Sequence, residues 1–224
     1  MKHPEEMDGM NMDMNPQSNS VRLCGIPAGP PLYSHSSRGQ EFYSFPLEVR
    51  RLSGNIDTLN ILVRSRQLEA LHTPDRLLVE GQLRSFNNRS GVGARLVITV
   101  LARELGPTQE PDSNLVLLRG TLCKPPNLRC TPMGRDICDL MLAVNRRYGR
   151  SDYLPCICWG QPAREASCWQ VGDRILLSGR LQSRRYIKLT ELGPVEKTAF
   201  EVSAGEVTRE SELIGASDSV SLQS

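Results

Sequence analysis

At 224 residues, with 39% hydrophobic and 23% charged, the chain has room for one large domain or two small ones. No stretch approaches the roughly 20 apolar residues that a membrane helix needs, and the polar, acidic start lacks the apolar core of a secretory signal. These features exclude a helical membrane protein and point to the cytoplasm. The net charge of +2 hides an uneven distribution: residues 1–18 carry −3, 19–107 carry +4, 108–113 carry −2, 114–200 carry +7 and 201–224 carry −4.

Residues 1–18 are rich in Met, Asn and acids without periodicity, and read as disordered. From there the chain says the same thing twice. Gly25, Gly39, Leu47, Val49 and Arg51 recur 95 positions later as Gly120, Gly134, Leu142, Val144 and Arg146. DRLLVEGQLRS at 75–85 recurs 98 positions later as DRILLSGRLQS at 173–183. A constant offset followed by a short slip is the mark of a duplicated domain with one longer loop. We therefore expect a first domain at 19–107, a linker at 108–113, a second domain at 114–207 and a flexible tail at 208–224, with room for a short helix at 208–215.

Within each copy the pattern alternates with period two and favours strands. SVRLCG and NLVLLRG open the copies. EFYSFPLEVRR and RDICDLMLAVNRR read as second strands, TLNILVRS and YLPCICWG as third, RLLVEGQLRS and RILLSGRLQS as fourth. ARLVITVLARELG supplies the fifth in the first copy and IKLTELGPVEKTAFEV stands in its place in the second. A short helical piece, SRQLEALHTP or QPAREASCWQVG, separates the third strand from the fourth. The predicted fold is all-β: two tandem five-stranded oligonucleotide/oligosaccharide-binding (OB) barrels, each with a short helix or helical turn between strands three and four. Gly81 and Gly179 mark a sharp bend in each fourth strand.

The seven cysteines are odd in number and read as buried free thiols rather than a disulfide framework. Cys156 and Cys158 face one side of a strand, and no histidine of the second copy is at hand to complete a zinc site. His3, His35 and His72 stand in no catalytic constellation, and the RSGVG loop lacks the Gly-Lys-Ser/Thr of a phosphate loop. We expect neither an enzyme nor a cofactor.

The second copy holds both tryptophans and three of the five tyrosines. Tyr148, Tyr153, Trp159 and Tyr186 are interleaved with Arg129, Arg135, Arg146, Arg147, Arg180, Arg184, Arg185 and Lys188. Cations that follow phosphates and exposed rings that stack on bases are what single-stranded nucleic acid requires. Trp169, between a helical piece and a strand, reads as packing. Tyr186 follows a run of arginines and reads as exposed. The residues alone leave Trp159 between groove and core.

The second copy resembles the bacterial single-stranded DNA-binding protein family. The run RGTLCKPPNLRCTPMGRDICDLMLAVNRRYGRSDYLPCICWG and its finish GDRILLSGRLQSRRY carry the likeness in order across the whole copy. The resemblance implies stacking by Tyr153, Trp159 and Tyr186, with Tyr148 close to a fourth position. It also implies a sequence-nonspecific coat on single-stranded DNA in replication, repair or recombination, associated with the nucleoid. Because family members with one barrel per chain act as tetramers, two barrels per chain imply a homodimer of four barrels. The family's acidic Pro-Phe tail tip, which recruits other replication and repair proteins, is absent from SDSVSLQS.

The first copy departs. Thr58, Arg64 and Asn88 stand where the three rings would be. Arg50, Arg51 and Arg84 remain as phosphate contacts, and Phe86 is its best stacking candidate. Phe42 and Phe45 align with Ile137 and Leu140, which assigns one or both to the core. The competing reading is a protein-interaction barrel, a primosome-like accessory factor with weak single-strand binding. Stacking does not separate RNA from DNA.

Overall fold

The computed structural model describes residues 18–71, 75–88, 96–146, 149–190 and 193–212. Of the segment 1–18 expected to be disordered only Ser18 is among these residues, and of the expected tail 208–224 only 208–212; His72, the RSGVG loop, Arg147 and Tyr148 lie outside them.

Alternating burial marks several of the strands. In β5 (Leu77–Asn87), Leu77, Val79 and Leu83 point inward while Glu80 and Gln82 point away. The first copy contributes β1 (Asn19–Pro27), β2 (Leu32–Ser37), β3 (Gln40–Arg50), β4 (Ile56–Arg64), β5 and β6 (Leu96–Pro107), with a 3-10 helical turn at Ser65–Leu71 before β5. The second contributes β7 (Ser113–Leu122), β8 (Asn127–Cys130), β9 (Asp136–Asn145), β10 (Ser151–Trp159), β11 (Arg174–Thr190) and β12 (Gly193–Arg209), with α1 (Gln161–Ala166) before β11. Among the described residues no helix is long and apolar enough to cross a membrane.

The pairings repeat as the sequence does. In the first copy β1 pairs with β3, β3 with β4, β4 in parallel with β6, β6 with β5, and β5 again with β1. In the second, β7, β9, β10, β12 and β11 trace the same circuit, with β10–β12 as the parallel step. Many buried residues correspond: Leu47, Leu59, Leu77 and Leu83 match Leu142, Leu154, Ile175 and Leu181. Cys156 and Cys158 take the buried places of Ile61 and Val63, so these thiols act as small apolar fillers. Burial pushes the Cys158 thiol up to about 12 and Cys156 well above its ordinary value. Cys130 and Cys168, by contrast, are exposed.

Gly81 and Gly179 sit at the expected bends. Each lies at a shift in register, and a Cβ there would collide with the backbone oxygen of Leu101 or Ser203. The bend lets one strand serve two neighbours, which only glycine permits at this approach.

The structure departs from these expectations at the edge strands and at the fifth strand of the second copy. The edge strands β2 and β8 were not anticipated, because β2 and β8 are exposed along their whole length and show no alternation. The fifth strand of the second copy begins at Gly193, whose φ of 109° suits the reversal after β11. Ile187–Thr190 therefore extend β11 instead of starting the next strand. That next strand runs to Arg209, past the expected boundary at 207. The helical piece of the first copy is a 3-10 turn, the helical turn expected between its third and fourth strands.

The copies join through β1 and β7, which pair antiparallel about the equivalent residues Val21 and Val116. Twelve strands thus form one sheet. The side chains around the ladder are reciprocal. Asn19 exchanges two hydrogen bonds with the backbone of Leu83 at 2.9 and 2.8 Å. Its equivalent Asn114 does the same with Leu181 at 2.7 and 2.9 Å. Asp57, fully buried, pairs with Arg51 at 2.5 Å and accepts the amide of Ser183 from the second copy at 2.9 Å. Asp152, also fully buried, pairs with Arg146 and Arg84 and accepts the amide of Ser85 from the first copy at 2.5 Å. The connection 108–112 is anchored by Arg22–Glu110 at 2.7 Å and by Arg76–Asp112.

Asp152→Ala would leave two half-buried guanidinium groups without their carboxylate and free the Ser85 amide. Breaking such a pair costs about 3–5 kcal/mol, so denaturant unfolding followed by tryptophan emission should show a loss of this order. Hydrogen exchange at Ser85, in the other copy, should accelerate. Alkylation at pH 8 followed by mass spectrometry should label Cys130 and Cys168 in the folded chain, while Cys156 and Cys158 react only after denaturation.

Candidate nucleic-acid interface

Residues directly opposite on paired strands share a face of the sheet. In the second copy one such row runs Arg129 on β8, Ile137 on β9 and Trp159 on β10. The next row on the same face holds Asn127, Asp139 and Ile157. Further along β10, Tyr153 pairs with Ala143 on this face. The strand supplies the reason for the spacing: alternate residues of β10 face outward, so Tyr153, Pro155, Ile157 and Trp159 form a stripe. Trp159 is 40% exposed and Tyr153 51%, whereas Trp169 is buried in the core as expected.

Trp159 lines an open groove of roughly 690 Å³ with Arg51, Arg129, Ile137, Asp139, Ile157, Arg180, Gln182, Ser183, Arg184 and Glu201. Four arginines and two carboxylates therefore share this space, and one of the arginines, Arg51, comes from the first copy. Asp139 holds Arg129 in a two-pronged pair at 2.7 and 3.0 Å and raises its pKa above the ordinary value. Asp57 does the same for Arg51. Glu201 accepts from Gln182 at 2.8 Å and lies 3.9 Å from Arg184. The Arg184 guanidinium stands over the Tyr186 ring, 5.6 Å from its centre. The carboxylates orient the cations and leave guanidinium edges in the groove, an arrangement suited to an anionic chain with flat, stackable groups.

The groove thus gathers five of the sixteen residues singled out in the sequence: Arg51, Arg129, Trp159, Arg180 and Arg184. Tyr186 adjoins through Arg184, and Tyr153 lies on the same β10 stripe, its amide donating to Ser85 Oγ of the first copy at 2.7 Å. Arg135 sits at the β8–β9 turn, where its amide donates to Thr131 Oγ1 at 2.9 Å. Arg84 and Arg146 are turned into the seam between copies and bound to Asp152. Burial lowers the pKa of Arg84 from its ordinary value. Arg50 keeps an exposed side chain while its amide donates to Asp112 at 2.7 Å. Arg185 is exposed, 3.8 Å from Glu196, one position out of phase with Arg184. Phe86 is 51% exposed on β5, in the place that Arg184 holds in the second copy. Arg147 and Tyr148 are outside the described residues, as is the side chain of Lys188 on β11. Sequence reasoning missed Asp139, Gln182 and Glu201. The alternation of Asp139 with Ile137 was a usable signal, but only once β8 is known to pair with β9.

Among the described residues, no group of His, Cys, Asp and Glu gathers where a metal ion could be held. The model of the family described as "Single-strand binding protein family" matches residues 113–209. Single-stranded DNA-binding protein B of Bacillus subtilis is 36% identical over 80 residues, covering 33% of this chain and 71% of that protein. The chain belongs to the single-strand binding protein family. Single-stranded DNA-binding protein 2 of Listeria innocua is likewise 36% identical over 80 residues, but the chain spans only 50% of its length. The wild-type single-stranded DNA binding protein of Thermus aquaticus superposes with a TM-score of 0.68 at 25% identity, covering 85% of this chain and 92% of that one. The sequence match to the family model falls on the second copy alone, whereas the structural match takes in both.

The two tryptophans differ enough in exposure to be separated without any ligand. Iodide should quench Trp159 and spare Trp169, and Trp159→Phe should remove the quenchable fraction. Added NaCl should weaken iodide quenching by screening the groove arginines, while quenching by neutral acrylamide stays constant.

Proposed function

We propose that the protein coats single-stranded DNA without sequence preference, as a non-catalytic factor in replication, repair or recombination. The single observation that carries this is the groove, where the exposed Trp159 ring stands among Arg51, Arg129, Arg180 and Arg184. Tyr153 and Tyr186 extend the stacking surface, with Arg135 at the adjoining β8–β9 turn. The relatives' names point the same way: those from B. subtilis, L. innocua and T. aquaticus are all single-stranded DNA-binding proteins.

In this reading each circuit of five strands is an OB barrel, one at 19–107 and one at 114–207. Strands β2 and β8 lengthen a hairpin beside each. Two chains assemble as a homodimer of four barrels, a closed symmetry for a coat that wraps DNA. The coat works where the DNA is, in the cytoplasm. Affinity divides between stacking, worth about 1–3 kcal/mol per base, and release of counterions from phosphates, which makes binding fall with salt.

Titration of poly-dT with the wild type and with Trp159→Ala plus Tyr186→Ala tests the reading. Wild type should bind tightly at low salt with quenching of tryptophan emission. The double variant should lose about 100-fold in affinity, as expected for two stacked bases, and most of the quenching. A wild type that fails to bind at low salt overturns the function, and an unchanged double variant overturns the site. Light scattering should give the mass of two chains.

A further inference from the structure

The first copy lacks rings at Thr58, Arg64 and Asn88, yet the ladder places of its outer face are filled in an informative way. In the second copy the row across β8, β9 and β10 reads Arg129, Ile137, Trp159. The equivalent row across β2, β3 and β4 reads His35, Phe42, Arg64. A bulge at Ser34, between the paired residues Tyr33 and His35, brings His35 into register opposite Phe42. The order of cation and ring across the row is therefore reversed. The ring has left the β4 position and reappeared on the two neighbouring strands.

The two rings are already arranged as a platform. His35 and Phe42 stack with centroids 4.9 Å apart and planes 7° from parallel. His35 is exposed and Phe42 half-buried, whereas Phe45 carries the core role on β3. The charge around them has changed as well. Burial, with the nearby cations Arg66 and Arg103 adding to it, lowers the pKa of Arg64 from the ordinary value. The two groove carboxylates have neutral counterparts. Ser44 stands for Asp139, and Thr99, paired with Arg84 as Glu201 is with Gln182, stands for Glu201. Arg64 donates to the backbone oxygen of Ala102 at 3.2 Å, a neutral partner.

We infer that the first copy carries its own single-strand contact, in which a base stacks on the His35–Phe42 pair and a neighbouring phosphate is held by Arg64. It is a relocated stacking site, and it rests on the reading of the protein as a single-stranded DNA coat. A strand passing over both copies thus meets a ring on each, with cation and ring in opposite order along the row.

The test uses the full chain, fluorescently labelled oligo-dT of increasing length, and two variants. His35→Ala plus Phe42→Leu should leave short oligonucleotides bound by the second copy. It should weaken by about tenfold those long enough to reach the first, and shorten the site occluded on poly-dT. Phe42→Trp in a Trp159→Phe background should gain emission that oligo-dT quenches, and this arm decides if the first variant fails to fold. Unchanged long-oligonucleotide affinity and site size, together with an unquenched Trp at position 42, overturn the inference while wild-type binding leaves the coat reading standing. Absence of wild-type binding removes both.

Discussion

Two buried carboxylates hold this molecule in its arrangement. Asp57 and Asp152 are equivalent residues, and each reaches out of its own copy to accept a backbone amide of the other. An isolated buried carboxylate is costly, and each is compensated at once by arginine and by hydrogen bonds. Leaving the seam would strip both acids of part of that compensation simultaneously. The backbone ladder between β1 and β7 supplies continuity, but generic strand pairing does not fix register. The reciprocal acids do so, because each meets its amide in the other copy when Val21 faces Val116.

That seam has consequences for the functional face. It places Arg51 of the first copy in the groove of the second, and it braces the amide of Tyr153 against Ser85. The arginines at the seam divide by their surroundings. Arg146 and Arg84 are absorbed by Asp152, whereas Arg51, bound to Asp57, still borders the groove. The groove is thus built by the pair of copies, and its charge is set by which acids each cation meets.

The copies share a backbone plan and have diverged on their faces. Buried positions keep small or large apolar side chains, such as Ile61 against Cys156 or Val63 against Cys158. Positions on the outer face of the sheet carry no such limit. There Trp159 stands against Arg64, Ile137 against Phe42, and Glu201 against Thr99. The family model matches the second copy, while the Thermus aquaticus structure covers 85% of the chain.

The sequence by itself determined the duplication, the long strands and the bent glycines, because burial imposes a period of two and backbone crowding at Gly81 and Gly179 admits no side chain. It also named Trp159 and the arginines around it. It was silent on β2 and β8, since a strand exposed on both faces has no alternation to read. Only the tertiary structure decided which arginines are spent on Asp152 and which face the groove. Only it showed that Phe42 and His35 stack side by side. Both are matters of cross-strand register, which joins residues far apart in the chain and leaves no local trace in the order of amino acids.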